Sequence, residues 1–563
     1  MIKEQIIKNL QDYLTKISVR NIEIDLQPPT NSEFGDYSTS VALKLTKLIK
    51  KNPMEIAEKI KKNFPKNDYI DKIEVIKPGF INFWIKKNHL LDFGSKLVAD
   101  KFDFPKYYLG KNKKIMIEYA HPNTHKLFHI GHLRNISTGE SLVRIFEEVG
   151  NKVIRSNYQG DVGLHIAKCL YGIRNSKSEI KKLKNLQERI EYIGKMYTVG
   201  TKAYEDNPKA KEEINYINKM IYDQNPEIIP LWEETKKWSL DYFDQVYKRV
   251  YSHFDRLFLE SEVTKRGLEV SKDIFKKGIL EKSQGAIVFN GKEYGLDTRV
   301  FINSQGFPTY EGKEMGLVEL EFSEFGELDK NIHVVTPEQT SFFKITFKVE
   351  ELIDEKKYKN KQYHLIYEWV KLKEGKMSSR EGNIIEANWL IDQIKEKIVK
   401  RFKCDEQTAE TLAVASAKYS FLKTSTQTII HFDIDESISV EGNSAPYIIY
   451  TYVRCQSVIN KSLISNPKSQ IQMSNVKSDE LNLLRKLYQF PEVVLKAAEQ
   501  YSPNFIATYL YELASQYNLF YQKNPILKAE KEIKELRLFI TQATANTIKK
   551  GLELLGIKTV EKM

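Results

Sequence analysis

The stretch from Lys113 to Gly150, KKIMIEYAHPNTHKLFHIGHLRNISTGESLVRIFEEVG, constrains the fold more than any other part of this 563-residue chain. Ile115, Ile117 and Tyr119 alternate with more polar neighbours and predict a short strand. A loop with Pro122, Asn123, Thr124 and His125 follows. His129-Ile130-Gly131-His132 then opens a helical pattern in which Leu133, Ile136, Leu142, Val143, Phe146 and Val149 recur on one face, and Gly150 ends it. A second strand is expected from Lys152 to Tyr158. Strand, loop, helix and strand in this order make the βαβ unit of a parallel sheet.

The loop has specific chemistry. Two histidines flank a glycine at a helix start, where backbone N–H groups and the positive end of the helix dipole favour an anion. Gly131 has no Cβ to hold a flat ring or a ribose away from the backbone. Histidines can donate hydrogen bonds to phosphate oxygens as charge builds in a displacement. A bare four-residue match fits a plain helix start equally well. A second signature, Gly375-Lys376-Met377-Ser378-Ser379-Arg380, lies far downstream. Glycines 375 and 382 bracket basic and hydroxyl residues there, which suits a loop closing over a polyphosphate, although a solvated basic loop has the same composition.

The length is enough for about three or four domains. The formal net charge is +12, which fits an acidic partner, but lysines are scattered and charge alone supports nucleic acid only weakly. Cys169, Cys404 and Cys455 lie far apart and form neither a disulfide framework nor a Cys-x-x-Cys zinc pattern. The opening MIKEQIIKNLQDYL reads as an amphipathic helix of mixed charge rather than a signal peptide. No apolar run approaches the ~20 residues that span a bilayer. A cytoplasmic protein without a membrane or DNA partner is expected.

Residues 1–105 read as a small α/β domain. Val41, Leu43, Leu45 and Leu48 mark one helix, Asn52-Pro53 starts another, and IDKIEVIKPGFINFWI reads as two strands. Phe80 and Asn82 alternate with Ile81 and Phe83, so one face of the second strand is apolar core. From about 176 to 255 the chain is charged and helical, with Trp232, Trp238, Leu240, Tyr242 and Phe243 as core positions. GAIVFN is expected to begin the second half of the parallel sheet. From 436 onward the pattern is all helix, and Phe505, Tyr509, Leu513, Tyr517 and Phe520 form an apolar stripe typical of a bundle.

The ordered pair of motifs resembles the class I aminoacyl-tRNA synthetases, which carry His-x-Gly-His early in a Rossmann-type domain and a Lys-Met-Ser-Lys-Ser-like loop late in it. "FGDYST", "NPMEIAE" and "PGFINFWI" resemble the N-terminal additional domain of the arginyl-tRNA synthetases, and "EGNSAPYIIYTYVR" with "LGIKTVEKM" resembles their helical anticodon-binding domain. The resemblance covers essentially the whole chain. It implies a multidomain α/β fold. Residues 1–105 would contact the tRNA D-loop, and 106–435 would form a Rossmann-type parallel-sheet catalytic domain with a helical insertion at about 176–280. Residues 436–563 would form an all-α anticodon-binding bundle.

The same resemblance implies the site. His129, Gly131, His132, Lys376, Met377, Ser378 and Arg380 would bind ATP, which comes with Mg²⁺, and no protein-bound metal or structural zinc is expected. Glu118, Tyr310 and Glu314 would hold the guanidinium of L-arginine, and Asn123 and Gln339 its α-ammonium and carboxylate. The family's Tyr-Leu-Thr-Arg-Asp is here Tyr310-Glu311-Gly312-Lys313-Glu314, so a glutamate replaces the aspartate. The family's Gly-Asp-Trp-Gly is here Gly160-Asp161-Val162-Gly163, with Asp161 orienting the site or shaping a turn. Ser379 stands where a second lysine is usual, and Lys126 occupies the place just upstream of the histidine motif where many members put one. His129, His132, Lys126 and Lys376 would therefore be catalytic. Phe80 and Asn82 would take an unpaired D-loop base, and Tyr447 and Arg454 anticodon bases. The implied enzyme is a monomeric arginine–tRNA ligase using tRNA(Arg), L-arginine and ATP. Its rivals are a class I synthetase of another specificity and a non-catalytic tRNA-binding paralogue.

Overall fold

The computed structural model of the protein describes residues 2–29, 31–102, 112–176, 180, 182–373, 385–462 and 476–563. Contacts group the chain into two compact units. One comprises Met1–Pro105, Tyr450–Val493 and Tyr509–Lys550, and the other Lys106–Ile449, Val494–Thr508 and Gly551–Met563.

In the first unit, β1 (Leu26–Gln27), β2 (Tyr37–Thr39), β3 (Ile70–Ile76) and β4 (Phe80–Ile85) form an antiparallel sheet in the order β1-β2-β4-β3. One face of β4 is apolar core as expected, with Ile81 and Phe83 fully buried; on the other face Phe80 is 38% exposed but Asn82 is buried, so the burial does not alternate cleanly. Asn52 caps helix Pro53–Asn63 by accepting from Met54 N–H at 2.9 Å. Helix Val41–Ile49 buries Val41, Ala42 and Leu45, whereas Leu48, expected on the same apolar stripe, is 64% exposed. By helical spacing Leu48 shares the face of Val41 and Leu45, but it stands in the last turn of a nine-residue helix and is left exposed there. Of the expected stripe on helix Asn504–Lys523, Tyr509, Leu513, Tyr517 and Phe520 are buried, whereas Phe505, in its first turn, is half-buried.

The second unit carries the parallel sheet. Its further strands are β5 (Lys114–Glu118), β6 (Lys152–Gln159), β7 (Arg256–Leu259), β8 (Glu281–Ser283), β9 (Ala286–Phe289), β10 (Arg299–Ile302), β11 (Lys330–Val335), β12 (Gln362–Ile366), β13 (Val370–Leu372) and β14 (Ile430–Phe432). The main sheet has five parallel strands in the order β12-β11-β5-β6-β7. β5 is central, and Ile115 to Glu118 are all buried, with no alternation. A parallel strand covered on both faces has no solvent side, which is why the period-2 expectation fails.

Two boundaries differ from the sequence reading. Helices Leu186–Asp206, Pro208–Tyr222 and Ile229–Arg249 form the helical segment, but the chain re-enters the main sheet at β7, well before residue 280. GAIVFN is a strand, β9, yet it belongs to a separate antiparallel sheet, β10-β9-β8. The second half of the parallel sheet is β11 and β12. Helix Tyr310–Phe325 connects to it and packs backbone-close on helix Glu260–Lys276. A Cβ on Gly267 would strike the Gly312 carbonyl, and one on Gly316 the Gly267 amide. This close approach buries carboxylates on a helix whose sequence looks amphipathic.

Helix Ile130–Glu148 is buried along nearly its whole length. Arg134 donates to the carbonyls of Glu368, Trp369, Ser425, Thr426 and Thr428 at 2.6–3.2 Å. Five backbone acceptors compensate the buried guanidinium and tie the approach to β13 against the approach to β14.

Candidate active site at the carboxyl end of β5

The chain leaves β5 through a strained loop. Ala120, His121 and His125 have φ of 78°, 49° and 62°, a left-handed conformation that costs a non-glycine residue free energy. Side chains from neighbouring elements hold it: Ala120 N–H donates to Asn135 Oδ1 (2.6 Å), His121 N–H to Asn157 Oδ1 (3.1 Å) and His125 N–H to Ser239 Oγ (2.9 Å). His125 itself is buried between Thr124 and Thr235, and burial pushes its pKa down to about 3. It is a structural post.

The loop ends in a reciprocal cap. His129 Nδ1 accepts from Gly131 N–H (3.1 Å) and His132 N–H (3.4 Å), and His132 Nδ1 accepts from His129 N–H (3.2 Å). The rings stack with centroids 3.7 Å apart. The backbone N–H groups expected to be open for an anion are thus already taken. The close approach permitted by Gly131 is made by His129 itself, since a Cβ there would lie 2.9 Å from His129 Cε1. Because both Nδ1 atoms accept, each ring carries its proton on Nε2, and these N–H groups are the donors left for a ligand. Burial, and secondarily the charge of Lys126, lowers His129 to about 4. Burial and His129 hold His132 well below its usual value. Both rings are neutral donors near pH 7.

Lys126 has its Nζ 5.5 Å from the Tyr197 ring centre, and its charge bears on His129, His132 and His165. Lys376, Met377, Ser378 and Arg380 lie outside the described residues. The flank that follows them does reach the histidines: Ile130 N–H donates to the Ile385 carbonyl (2.9 Å), and Ala387 N–H to the Phe128 carbonyl (2.8 Å).

Behind the loop lies a carboxylate pocket. Glu118 is 3% exposed, with Oε1 3.3 Å from His333 Nδ1 and 3.8 Å from His121 Nδ1. Burial alone would raise its pKa; the hydrogen bond and charge of His333 outweigh burial and hold it below the usual range. Glu314 is 7% exposed, and burial, with further help from Glu118, raises it to about 7. Glu118 and Glu314 therefore share one electrostatic cluster. Tyr310, at the start of helix Tyr310–Phe325, is 73% exposed with its ring 5.6 Å from Lys313 Nζ. Lys313 pairs with buried Glu260 at 2.5 Å. Asn123 bridges to Gly160 and is half-buried, while Gln339 is exposed in the turn before helix Thr340–Ile353. Asp161 accepts from Ser261 N–H and Oγ–H at 2.7 Å each and lies 3.4 Å from Lys236 Nζ, so it pins the start of helix Glu260–Lys276. The sequence reading missed His121, His165, His333, Glu321 and Glu350. The only signal for them was the odd placement of polar residues within apolar runs.

In the other unit, Asp25, Gln27, Phe34, Ser38, Phe80 and Asn82 are among the residues lining a 510 Å³ pocket. Asn82 is 2% exposed, and its buried Oδ1 meets no donor among the described residues. Arg454 sits between the rings of Tyr450 (4.8 Å) and Tyr521 (5.1 Å), both 39% exposed, and donates to Asn518 Oδ1 at 2.5 Å. Tyr452 is buried, and Tyr447 is half-buried. Among the described residues, no helix is long and apolar enough to cross a membrane, and no group of His, Cys, Asp or Glu is placed to hold a metal ion.

Comparison with known proteins covers every region of the chain. Residues 1–85 match the family described as arginyl tRNA synthetase N terminal domain, 95–433 that of class I (R) tRNA synthetase catalytic domains, and 448–563 that of DALR anticodon binding domains. An arginine–tRNA ligase of Fusobacterium nucleatum is 32% identical over 99% of this chain and 98% of its own length. One from Halothermothrix orenii is 30% identical over 100% and 99%. The solved arginyl-tRNA synthetase of Thermus thermophilus shares the fold with a TM-score of 0.84 at 22% identity, covering 100% of both chains. That of Plasmodium falciparum has a TM-score of 0.82 at 21% identity, covering 100% of this chain and 99% of its own.

Proposed function

We propose, because the chain belongs to the arginyl-tRNA synthetase family, that it ligates arginine to tRNA in two steps at the carboxyl end of β5. The carrying observation is a juxtaposition on one βα crossover. Two neutral imidazoles with Nε2–H donors stand at the start of helix Ile130–Glu148, and a buried, ionised Glu118 stands at the end of the preceding strand. Donors suit a polyphosphate and the carboxylate suits a cation, and crevices beyond the carboxyl ends of parallel strands are where such sheets bind ligands.

In the first step the arginine carboxylate oxygen attacks the α-phosphorus of ATP in line. The new O–P bond forms as the α–β bridge bond breaks, giving arginyl-adenylate and pyrophosphate. Mg²⁺ enters with the nucleotide as part of the substrate. Glu118 and Glu314 take the guanidinium, with Tyr310 closing the rim. Asn123 and Gln339 take the α-ammonium and carboxylate. His129 and His132 stabilise charge on the phosphates through Nε2–H, with Lys126 and Lys376 supplying ammonium groups and Met377, Ser378 and Arg380 completing the nucleotide site. Catalysis is positioning plus electrostatic stabilisation, without a protein nucleophile. In the second step the 2′-hydroxyl of the terminal adenosine of tRNA(Arg) attacks the arginyl carbonyl and AMP leaves.

The tRNA contacts follow the same reading. Phe80 stacks on an unpaired D-loop base while the unsatisfied Asn82 Oδ1 accepts from it. Arg454, flanked by exposed tyrosines, and Tyr447 engage anticodon bases. Residues 1–105, 106–435 and 436–563 divide D-loop contact, chemistry and anticodon contact between them, and the enzyme works as a cytoplasmic monomer. The test is ATP–pyrophosphate exchange with arginine and cognate tRNA both present. Exchange that depends on arginine, and on no other amino acid, is expected. No exchange under those conditions would overturn the reading.

A further inference from the structure

Around Glu118 lies a buried network that this chemistry leaves unused. His333 on β11 is the register partner of Glu118 on β5, so the two side chains share a sheet face. His333 Nδ1 is 3.3 Å from Glu118 Oε1, and Nε2 is 2.9 Å from Gln362 Oε1 on β12. Phe343 and Phe347 pack the ring at centroid distances of 5.0 and 5.6 Å. Both ring nitrogens face oxygen acceptors, and only a doubly protonated imidazole donates to both. Glu321 is fully buried and accepts from Asn331 Nδ2 at 2.7 Å through Oε2. Its Oε1, like Glu118 Oε2, is buried without a hydrogen-bond partner among the described residues, and the charge of Glu118 bears on Glu321. One proton held between two such buried carboxyls matches both oxygens, one as donor and the other as acceptor.

The proton has a clear owner. Burial, then the charge of Glu118, pushes Glu321 well above the carboxylate range, while His333 keeps Glu118 low. The groups bearing on His333 are Glu118 from β5, Glu314 and Glu321 from helix Tyr310–Phe325, Glu350 from helix Thr340–Ile353, His364 from β12 and His121 from the loop. Burial lowers His333, but the hydrogen bond to Glu118 and the charges of Glu118, Glu314 and Glu321 carry it up to about 10.

We infer that His333 and Glu321 are positioning residues for arginine recognition, clamping the Glu118 carboxylate from both sides, His333 as a fixed cation and Glu321 as a neutral hydroxyl donor. The inference rests on the arginine-site reading above. Each Glu118 oxygen keeps a second lone pair for the guanidinium, and the clamp fixes the carboxylate plane that a planar bidentate partner requires. Of the buried acids, Glu118 and Glu314 then touch substrate, while Glu321 does not.

The experiment measures KM for arginine and kcat in tRNA-dependent pyrophosphate exchange from pH 6 to 9. It compares the wild type with E118Q, E321Q, E321A and H333Q, and follows each fold by thermal melting. An amide donates as a neutral carboxyl does, so E321Q is expected within about threefold of the wild-type KM. E321A and H333Q are expected to raise the arginine KM at least about tenfold with the KM for ATP unchanged, since one lost charge-assisted hydrogen bond has that order of effect. H333Q is also expected to move the acid limb of kcat/KM for arginine to higher pH. An E321Q defect as large as that of E118Q would overturn the inference by making Glu321 a ligand. An H333Q enzyme with unchanged KM and pH profile would overturn it by making His333 a packing residue. If H333Q does not fold, the near-isosteric E321Q still decides. A wild type without arginine-dependent exchange would instead sink the functional reading.

Discussion

His129 and His132 cap each other: each ring's Nδ1 accepts the other's backbone N–H, at 3.4 and 3.2 Å. The helix start and the phosphate donors are therefore one device. The cap uses the Nδ1 side, and what remains for ATP is the Nε2–H side. His132→Asn keeps an acceptor near the Nδ1 position and removes the outward donor. It should melt within a few degrees of wild type, since cap loss itself costs only about 0.5–2 kcal/mol. Exchange should nevertheless slow by about 10²–10³-fold, the usual effect of losing one charge-stabilising donor. His132→Ala should show the same slow rate plus a lower melting temperature. Unchanged exchange in His132→Asn would reduce the pair to a structural cap.

Glu314 ties arginine binding to pH. Burial, with Glu118 and Glu311 adding to it and His333 opposing, raises its carboxyl to about 7. A guanidinium binds the ionised form, so arginine uptake below that pH must release a proton. The KM for arginine should rise as pH falls through 7, by at most about tenfold per unit for one proton. The effect on stability has the opposite sign. A carboxyl raised in the fold contributes stability that is present below its unfolded value, 4.5, and is lost as pH climbs toward 7. Glu314→Gln should flatten the melting profile of the free enzyme over that window and raise the arginine KM at every pH. A KM independent of pH from 6 to 8 in the wild type would contradict this account.

The helix at His129, the two strands around it and the apolar stripe ending in Phe520 were legible because period and punctuation are local properties. Sheet membership was not. β9 and β5 both read as strands, but nothing local says that one is central and parallel and the other lies in a separate antiparallel sheet. The buried acids were hidden for a related reason. Glu321 stands in VELEFSEF, where a charge at that spacing reads as a solvated face. It is buried because helix Tyr310–Phe325 is sandwiched between β11 and helix Glu260–Lys276, with Gly267, Gly312 and Gly316 removing the space between the helices. His333 looked like one polar residue in an apolar strand. Only the register across β5 and β11 gives it Glu118 as a partner. Tyr521 escaped notice beside Arg454 because the two are brought together by helices 67 positions apart in sequence.

The 510 Å³ pocket holding Phe80 and Asn82 makes a claim about RNA separable from chemistry. Phe80 is 38% exposed, so Phe80→Ala should leave the melting temperature nearly unchanged. It should raise the KM for tRNA by roughly 5–100-fold, because stacking contributes about 1–3 kcal/mol per base. The KM values for arginine and ATP, measured at saturating tRNA, should not move. Binding of tRNA to the variant, followed by filter retention or fluorescence, checks this. Equal affinity for wild type and Phe80→Ala would make the pocket a feature of the fold alone.

Lys126 offers the last test, because its charge reports on itself. The ammonium bears on His129, His132 and His165, and it stands upstream of a chain that has Ser379 where a second loop lysine is usual. If Lys126 stabilises charge on the phosphates, Lys126→Ala should slow adenylate formation by about 10²–10³-fold, with Lys126→Arg recovering part of the loss. A second readout does not depend on turnover. Burial holds His129 down first and Lys126 second, so the alanine variant should raise the His129 titration from about 4 by the part owed to charge, visible in imidazole NMR shifts. A raised His129 pKa together with an unaltered adenylation rate would place the lysine beside the histidines but leave it a rim charge. A slowed rate with a raised pKa would make it the ammonium that serves the phosphates from the histidine side of the site.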